Sequence, residues 1–383
     1  MRKYAVIAAL GAAVLSACGG GSGNSESSPP PPPPPPSVNI KVVGGGLEAS
    51  SGANHAAAVV SDYRNWPELV AQQLNGKSLC SRFSLEGTGA SIAWAPKNTG
   101  CASYAINDVR RAPLTNVPAS LDTDDGNSIV GQLQRAAAEG WDSRDFLLVG
   151  AGYSQVLDGR TTLSVISGMG AASEPTVIAN LITRLERLLG TSALNTRLPS
   201  SQRTLDTVVD LYMTAQAERL ADAIDRYALQ KGVTRVVVLN VIPAYLLVPN
   251  DPAWLPRLDK WTRSFNTALA QRFANHKKVR IVDAHQALKD QMAQPQQHGY
   301  ANVTTPACAS IQSATPCSAE ALTALPAPAD STDKSSNWWK SYMVWQWVDS
   351  SSDFTTSLHR VSQRTQDSLA ALVMAEIAKA GWK

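Results

Sequence analysis

The sequence lacks the charge imbalance that would indicate a polyanionic partner. Lys and Arg total 34, Asp and Glu total 31, and the formal net charge is only +3 over 383 residues. No block of basic residues stands out, so nucleic-acid binding has no electrostatic support. The hydrophobic content of 44% is enough to bury one large core or two modest ones.

The N-terminal apolar run is too short to span a bilayer. Arg2 and Lys3 precede YAVIAALGAAVL, and small residues follow up to Cys18, which indicates a secretory signal peptide. The residues LSAC resemble the lipobox of bacterial lipoproteins, which implies acylation of Cys18. Gly19 stands where an aspartate commonly retains lipoproteins at the inner membrane, so the resemblance implies an outer-membrane anchor. The alternative is an ordinary signal peptide with a chance cysteine.

Composition divides the chain into three parts. Residues 1–17 are the predicted signal peptide, and residues 18–37 are a tether rich in glycine, serine and proline. Eight consecutive prolines in this tether favour a polyproline II rod on the order of 25 Å long. Residues 38–383 are the predicted folded domain, held away from the membrane by the tether.

Cysteines are few, and their even number in the mature domain suits export. Without Cys18, four remain: Cys80, Cys101, Cys308 and Cys317. Four cysteines allow three pairings. We expect Cys80 to pair with Cys101 and Cys308 with Cys317, because these pairs close the shortest loops and an oxidising compartment favours disulfides. CxxC spacing and nearby histidines are missing, so no metal or other cofactor is expected.

From Val38 onward, short apolar segments alternate with amphipathic ones, which predicts an α/β fold. The strand candidates are VNIKVVG, DFLLVGAG, VTRVVVLNVIP and KVRIVDA. The helix candidates are WPELVAQQL, IVGQLQRAAAEG, VIANLITRLERLLG, AQAERLADAIDRYALQKG and FNTALAQRFANH, with one long C-terminal helix over residues 355–381. Residues 192–204 are predicted to be an irregular polar insertion. Continuous apolar strands between helices indicate a mainly parallel sheet covered on both faces, a three-layer α/β/α sandwich.

The order of these segments resembles the SGNH, or GDSL, family of esterases and lipases. VVGGGLEASSG lies where that family has its GDSL block, CASYAINDVRR at the second block, and FLLVGAGYSQVL at the GxND block. VVVLNVIPAYLLVP, FNTALAQRF and HGYANVTTPAC are similar to the segments that lead to the final block, WQWVDSSSDFTTSLH. The resemblance runs from about Val38 to the C-terminus and implies the flavodoxin-like sandwich of SGNH hydrolases.

The catalytic chemistry of the family needs four groups. These are a serine, a histidine that activates it, and a glycine and an asparagine that hold the oxyanion. Residue by residue, the serine corresponds to Gly46, the glycine to Asn107 and the asparagine to Gly152. The histidine corresponds to Asp353 or, when the final block is aligned on its tryptophan, to Asp349. Because such groups act as a unit, four replacements predict a hydrolase outline without catalysis.

Other polar and aromatic segments leave alternatives open. Ser50 and Ser51 are candidate replacement nucleophiles, although this region of the family leads into a helix that would turn their hydroxyl groups away. The DSSSD segment at 349–353 offers oxygen ligands for a metal, but a solvated polar turn is the far commoner reason for such a segment. A tryptophan cluster indicates core aromatics, the lining of a pocket for an acyl chain, or a surface for a partner: Trp338, Trp339, Trp345 and Trp347.

The sequence therefore predicts an exported lipoprotein, anchored in the outer membrane on its periplasmic face or at the cell surface, whose SGNH-like domain binds without hydrolysing. The expected partners are outer-membrane lipid, through acylated Cys18, and a lipid, an acylated glycan, a polyester or a protein at the former ester pocket. The alternatives are an active carboxylic-ester hydrolase with relocated catalytic residues and a purely structural envelope lipoprotein.

Overall fold

Four segments that the sequence predicts as strands form one parallel sheet. The computed structural model describes residues 39–45, 47–48, 63–86, 93–96, 100–105, 128–150, 152, 174–246, 255–312, 315, 317–346 and 360–382. Its strands are β1 (Ile40–Val43), β2 (Phe83–Glu86), β3 (Ala93–Pro96), β4 (Phe146–Gly150), β5 (Arg235–Leu239), β6 (Val279–Val282), β7 (Val344–Gln346) and β8 (Arg360–Val361). Strands β1, β4, β5 and β6 pair in that order and in parallel, which confirms the predicted α/β class.

The sheet lies in the core because its strands are almost continuously apolar. Leu148 of β4 lies opposite Val42 of β1 on one side and Val237 of β5 on the other. All three side chains are fully buried. Strands that are covered on both faces read as unbroken hydrophobic runs rather than as alternating ones, which is why these segments were recognisable in the sequence.

Two further short segments extend the sheet beyond β1. The Val42 amide donates to the carbonyl of Ala102 at 3.0 Å, and the Tyr104 amide donates to the carbonyl of Val42 at 2.7 Å. Ser103 therefore pairs with Val42 in parallel, and Ser81 pairs with Ser103 in the same way. The predicted disulfide between Cys80 and Cys101 is present and joins these two edge segments.

The helices of the described part of the chain are α1 (Trp66–Asn75), α2 (Ile129–Ala138), α3 (Glu174–Leu189), α4 (Thr191–Arg197), α5 (Leu205–Tyr227), α6 (Leu255–Phe273), α7 (Ala284–Ala293), α8 (Ala319–Thr323) and α9 (Gln363–Lys379). Helix α9 packs on α1 and also contacts β5 and β6. Helix α5 packs with α2, α3 and α6, and α2 contacts β1. Within the described ranges, none of the helices combines the length and the apolar character that crossing a bilayer requires.

Helices α1 and α2 begin beside the carboxyl end of β1, and capping residues fix their first turns. Asn65 and Glu68 form a capping box at the start of α1, where the Asn65 amide donates to Glu68 Oε2 at 3.0 Å. The Ser128 hydroxyl caps α2 by accepting a first-turn amide at 2.9 Å. These caps set the positions of Trp66, in the first turn of α1, and of Gln132, in the first turn of α2.

A second, smaller core is built from aromatic side chains. The ring centroids of Tyr63 and Trp345 lie 5.3 Å apart, and those of Trp339 and Trp345 lie 5.8 Å apart. Trp338, Trp339 and Trp345 are each no more than 2% exposed. These three tryptophans therefore pack against one another as core residues, and Trp347 lies outside the described residues. The predicted disulfide between Cys308 and Cys317 is present at the border of this core.

Two secondary-structure predictions are wrong. Residues 192–204 are not irregular throughout, because α4 begins at Thr191, extends to Arg197 and buries Leu194. The C-terminal helix begins at Gln363, since Val361 pairs with Val344 of β7 and the Ser362 hydroxyl caps the helix. An amphipathic pattern alone does not reveal a short strand that pairs with a distant segment.

Candidate functional site

The strand order places a topological switch point between β1 and β4. From β1 the chain passes to the edge segment 102–104 on one side, and from β4 it passes to β5 on the other side. The connections therefore diverge between these two strands. In open parallel sheets, ligands bind in the crevice beyond the carboxyl ends of the strands at such a point.

The carboxyl group of Glu48 lies between the carboxyl ends of β1 and β4. Glu48 follows β1 by five residues and is 0% exposed. Its Oε2 accepts the Gly45 amide at 3.1 Å, and its Oε1 accepts the indole Nε1–H of Trp66 at 3.3 Å. A Cβ atom at Gly150, the last residue of β4, would lie 2.1 Å from Glu48 Cδ, and one at Gly44 would lie 2.6 Å from Glu48 Cγ. Both strand ends need glycine to leave room for this side chain.

Burial shapes the acidity of Glu48. Removal from water raises the pKa of its carboxyl group to about 8 from an ordinary value of 4.5, although the hydrogen bonds from Trp66 and Gly45 oppose the rise. Desolvation disfavours the charged form of a carboxyl group, and neutral donors compensate only part of that cost. Glu48 is therefore protonated, and neutral, at pH values below about 8.

A buried amide network holds the walls of the crevice. Gln132 Oε1 accepts the Gly44 amide at 2.8 Å, and Gln132 Nε2 donates to the Gly44 carbonyl at 3.2 Å. Gln366, near the start of α9, accepts the Trp66 amide at 2.9 Å and donates to the Tyr63 hydroxyl at 2.8 Å. Both glutamines are 0% exposed, so they fix the backbone at Gly44, directly after β1, and at Trp66, whose indole contacts Glu48.

Of the predicted catalytic positions, Gly152 lies within the described residues. Gly46, Asn107, Asp349 and Asp353 lie outside them, as do Cys18, Ser50 and Ser51. Gly46 follows β1, Asn107 follows the edge segment 102–104, and Gly152 follows β4. These three segments are neighbours in the sheet. Parallel neighbours end at the same edge of a sheet, which places these segment ends around one crevice.

Gly152 is a position that excludes an asparagine side chain. Its φ angle of +97° lies in the left-handed region, and a Cβ atom there would lie 2.4 Å from Val241 Cγ2 and 3.0 Å from the Phe265 ring. Val241 and Phe265 are fully buried. The residue that the family uses to hold the oxyanion therefore has no room at this position.

A second polar cluster lies at the carboxyl ends of β5 and β6. Asn240, directly after β5, donates to Asp283 Oδ1 at 2.8 Å and accepts the His285 amide at 3.0 Å. Asp283 also caps α7 by accepting a first-turn amide. These contacts tie the two strand ends to the start of α7.

His285 and Asp259 form a buried pair across this cluster. His285 Nε2 lies 3.2 Å from Asp259 Oδ1, and the two side chains are 6% and 16% exposed. Burial works to raise the pKa of Asp259, but the contact with His285 and the positive charges of Arg263 and Lys289 outweigh it and lower the pKa. The pair joins α6 to α7, and its low exposure suits bracing rather than contact with a ligand.

The sequence contains a signal for Glu48 that pattern matching to the family passes over. The segment GGGLE places an acidic residue just after a glycine-rich strand end. The amide of this residue, Glu48, donates to the Gly45 carbonyl at 3.0 Å, which closes a short turn. Its burial is set by long-range contacts with α1 and β4, which the local sequence does not encode.

We predict that Glu48 makes the stability of the domain depend on pH. The carboxyl group binds its proton more tightly in the folded chain than in the unfolded chain, so its contribution is fully present below about pH 4.5 and is lost as pH rises toward about 8. The expected slope is about −1.4 kcal/mol per pH unit between these values. Urea unfolding of the full-length chain across this range measures the slope, and Glu48→Gln should flatten it. An identical slope in the variant would contradict the assignment.

We also predict that Gly150→Ala destabilises the domain by about 1–3 kcal/mol, because the new methyl group displaces the Glu48 carboxyl from its hydrogen bonds. Gly100→Ala is the matched control, since a Cβ atom at Gly100 meets no atom within 4 Å. In a Glu48→Ala background most of the cost of Gly150→Ala should disappear. Urea titrations of the four variants give the coupling energy, and a coupling near zero would mean that the two residues do not share the crevice.

No protein-family model matches this chain, and no curated protein matches it. The likeness to SGNH hydrolases therefore stays a prediction from seven sequence segments. The geometry described above, a parallel sheet with a carboxyl group buried at its switch point, stands independently of that likeness.

Proposed function

We propose that the chain is an exported lipoprotein, anchored in the outer membrane through acylated Cys18, whose SGNH-like domain binds an acylated ligand without hydrolysing it. The ligand class is a lipid, an acylated glycan or a polyester, taken up beyond the carboxyl ends of β1 and β4. A protein partner at the same edge is the alternative occupant.

The strand order and the grouping of the helices support the fold part of this proposal. The order of edge segment 102–104, β1, β4, β5 and β6 corresponds to the 2-1-3-4-5 order of flavodoxin-like sheets. Helices α1 and α9 pack together, and α2, α3, α5 and α6 form a second connected group. Two helical groups around one parallel sheet are what a three-layer sandwich requires.

The carboxyl group of Glu48 is the single observation that carries the loss of hydrolysis. Ester hydrolysis develops negative charge on a substrate oxygen, and active sites place hydrogen-bond donors around that oxygen. At the switch point this chain instead places a carboxyl group whose two oxygens already accept from Gly45 and Trp66. When ionised, such a group repels an oxyanion, and when neutral and buried it blocks the crevice floor.

The two disulfides support export. Disulfides form and persist in oxidising compartments and are rare in reducing ones. Cys80 with Cys101 and Cys308 with Cys317 account for every cysteine after position 18. This leaves Cys18 as the unpaired cysteine, in agreement with its proposed acylation.

One observation favours a second candidate, an active ester hydrolase with non-standard residues. A carboxyl group with a pKa of about 8 is a stronger base than an ordinary carboxylate, so in its ionised form, above about pH 8, it is suited to accept a proton as a general base does. Such a base would activate a water molecule or a serine outside the described residues. The complete burial of Glu48 weighs against this candidate, since a base must reach the proton that it removes.

We predict that full-length protein, purified from membranes in detergent, does not hydrolyse p-nitrophenyl esters above a heat-denatured control. Gly46→Ser should remain inactive as well, because a serine without its histidine and oxyanion donors gives only residual catalysis. A fluorophosphonate probe should label no peptide in either chain. Turnover that the probe abolishes would overturn the proposal, and turnover lost in Glu48→Gln would establish the second candidate.

A thermal-shift series separates a binding domain from a purely structural one. Medium-chain and long-chain fatty acids and acylated sugars should raise the melting temperature, since a ligand that binds only the folded state stabilises it. The sugars without their acyl chains are the matched controls. Equal shifts with and without the acyl chain would contradict an acyl-binding site.

A further inference from the structure

The amino-terminal edge of the sheet gathers basic side chains that are far apart in the sequence. Exposed Lys231 precedes β5, and exposed Lys277 and Lys278 precede β6. Half-buried Arg235 and Arg280 lie on the same two strands. The amide of Val236 donates to the Lys278 carbonyl at 2.9 Å, so the approaches to β5 and β6 are direct neighbours.

Aromatic rings lie among these cations. The Arg235 guanidinium group is 5.2 Å from the Phe146 ring centroid, and that of Arg280 is 5.5 Å from the Trp382 ring. Phe146 and Trp382 contact each other edge to face at 6.1 Å. Trp382 is only half buried, as is Trp141, whose ring lies 4.4 Å from the Nζ atom of Lys41 in β1. Tryptophan next to lysine and arginine is typical of surfaces that lie at a membrane interface.

Two acidic side chains at this edge are paired with arginine. Asp142 lies 3.2 Å from Arg144, and Glu139 lies 2.6 Å from Arg82. The exposed lysines therefore act without compensation from these two carboxylates.

The chain enters the domain at this same edge. Asn39 precedes β1, and its carbonyl accepts the amide of Phe146 at 2.9 Å. The 38 residues that come before Asn39, with the proposed lipid anchor among them, are thus joined covalently to the edge that carries the basic residues.

We propose that the amino-terminal edge of the sheet, formed by Lys231, Arg235, Lys277, Lys278 and Arg280 with Trp382, docks the domain on anionic phospholipid headgroups. The inference rests on the proposed anchor for the direction in which this edge faces. Docking would turn the opposite, carboxyl edge and its crevice away from the bilayer, since the two edges are the two ends of one parallel sheet.

The test measures lysine reactivity on the full-length protein reconstituted into vesicles. Phosphatidylcholine vesicles with and without phosphatidylglycerol are treated with an amine-acetylating reagent, and the modified lysines are quantified by mass spectrometry. Lys231, Lys277 and Lys278 should react at least about five-fold more slowly on the anionic vesicles, since each cation near such a surface contributes about 1 kcal/mol. High salt should remove the difference.

Lys334 and Lys340 are controls within the same molecule. Both are exposed and lie before β7. The start of α9 is close to this segment, because the amide of its capping residue Ser362 donates to the carbonyl of Met343, directly before β7, at 2.9 Å. Helix α9 has 17 residues and spans about 25 Å before it reaches Trp382. These two lysines should react at the same rate on both kinds of vesicle.

A pair of matched variants tests the patch itself. Lys277→Gln/Lys278→Gln should return the reactivity of Lys231 on anionic vesicles to its value on neutral ones. Lys334→Gln/Lys340→Gln, with the same change in net charge, should leave Lys231 slowed. Equal acetylation rates of Lys231 on both kinds of vesicle in the unaltered protein would overturn the inference. Soluble double-stranded DNA that slows the acetylation of Lys231 as much as anionic vesicles do would overturn it as well.

Retention on the vesicles separates this inference from the proposed anchor. Retention on both vesicle types without a difference in reactivity would leave the anchor intact and contradict the docking edge. Retention on anionic vesicles alone, together with slower reaction of the three lysines there, would support the docking edge and contradict the anchor. Retention on neither would contradict both.

Discussion

A single buried carboxyl group constrains the carboxyl edge of the sheet. Glu48 has no exposed surface, and its two oxygens are held by the Gly45 amide and the Trp66 indole. Placing this group there requires glycine at the ends of both β1 and β4, and a capped α1 that fixes Trp66. The glycine-rich turn is therefore explained by the side chain that it accommodates.

The same arrangement gives the two edges of the sheet different roles. At the carboxyl edge, a neutral carboxyl group lies between the ends of β1 and β4, and a glycine closed in by Val241 and Phe265 stands where the hydrolase resemblance implies an asparagine. At the amino edge, cations and half-buried tryptophan surround the point where the chain enters the domain. Proposed binding and proposed membrane contact thus lie at opposite ends of the strands, so one does not obstruct the other.

Local patterns predicted those parts of the fold that local physics determines. β5 is recognisable because RVVVL is continuously apolar after its first residue, and α2 because its apolar residues share one face. The disulfide pairs followed from loop length. The short strand at Val361 was missed because it exists only through its pairing with Val344.

The decisive features of both edges depend on contacts between distant segments. Glu48 is separated by 18 residues from Trp66 and by about a hundred from Gly150, so no window of sequence shows that its carboxyl group is buried. The segments that precede β5 and β6, with Lys231 and Lys278 among their residues, likewise come together only when β5 pairs with β6. A balanced net charge of +3 conceals such a patch, since it averages over the whole chain.

The state of the Glu48 carboxyl group tests the central claim most directly. A carbon-13 NMR titration of the full-length protein in detergent, with glutamate side chains labelled and Glu48→Gln used to assign the signal, reports its protonation. A neutral, buried carboxyl group at the switch point predicts a midpoint of about 8. A midpoint near the ordinary value of 4.5 would show a solvated carboxylate and would contradict the account.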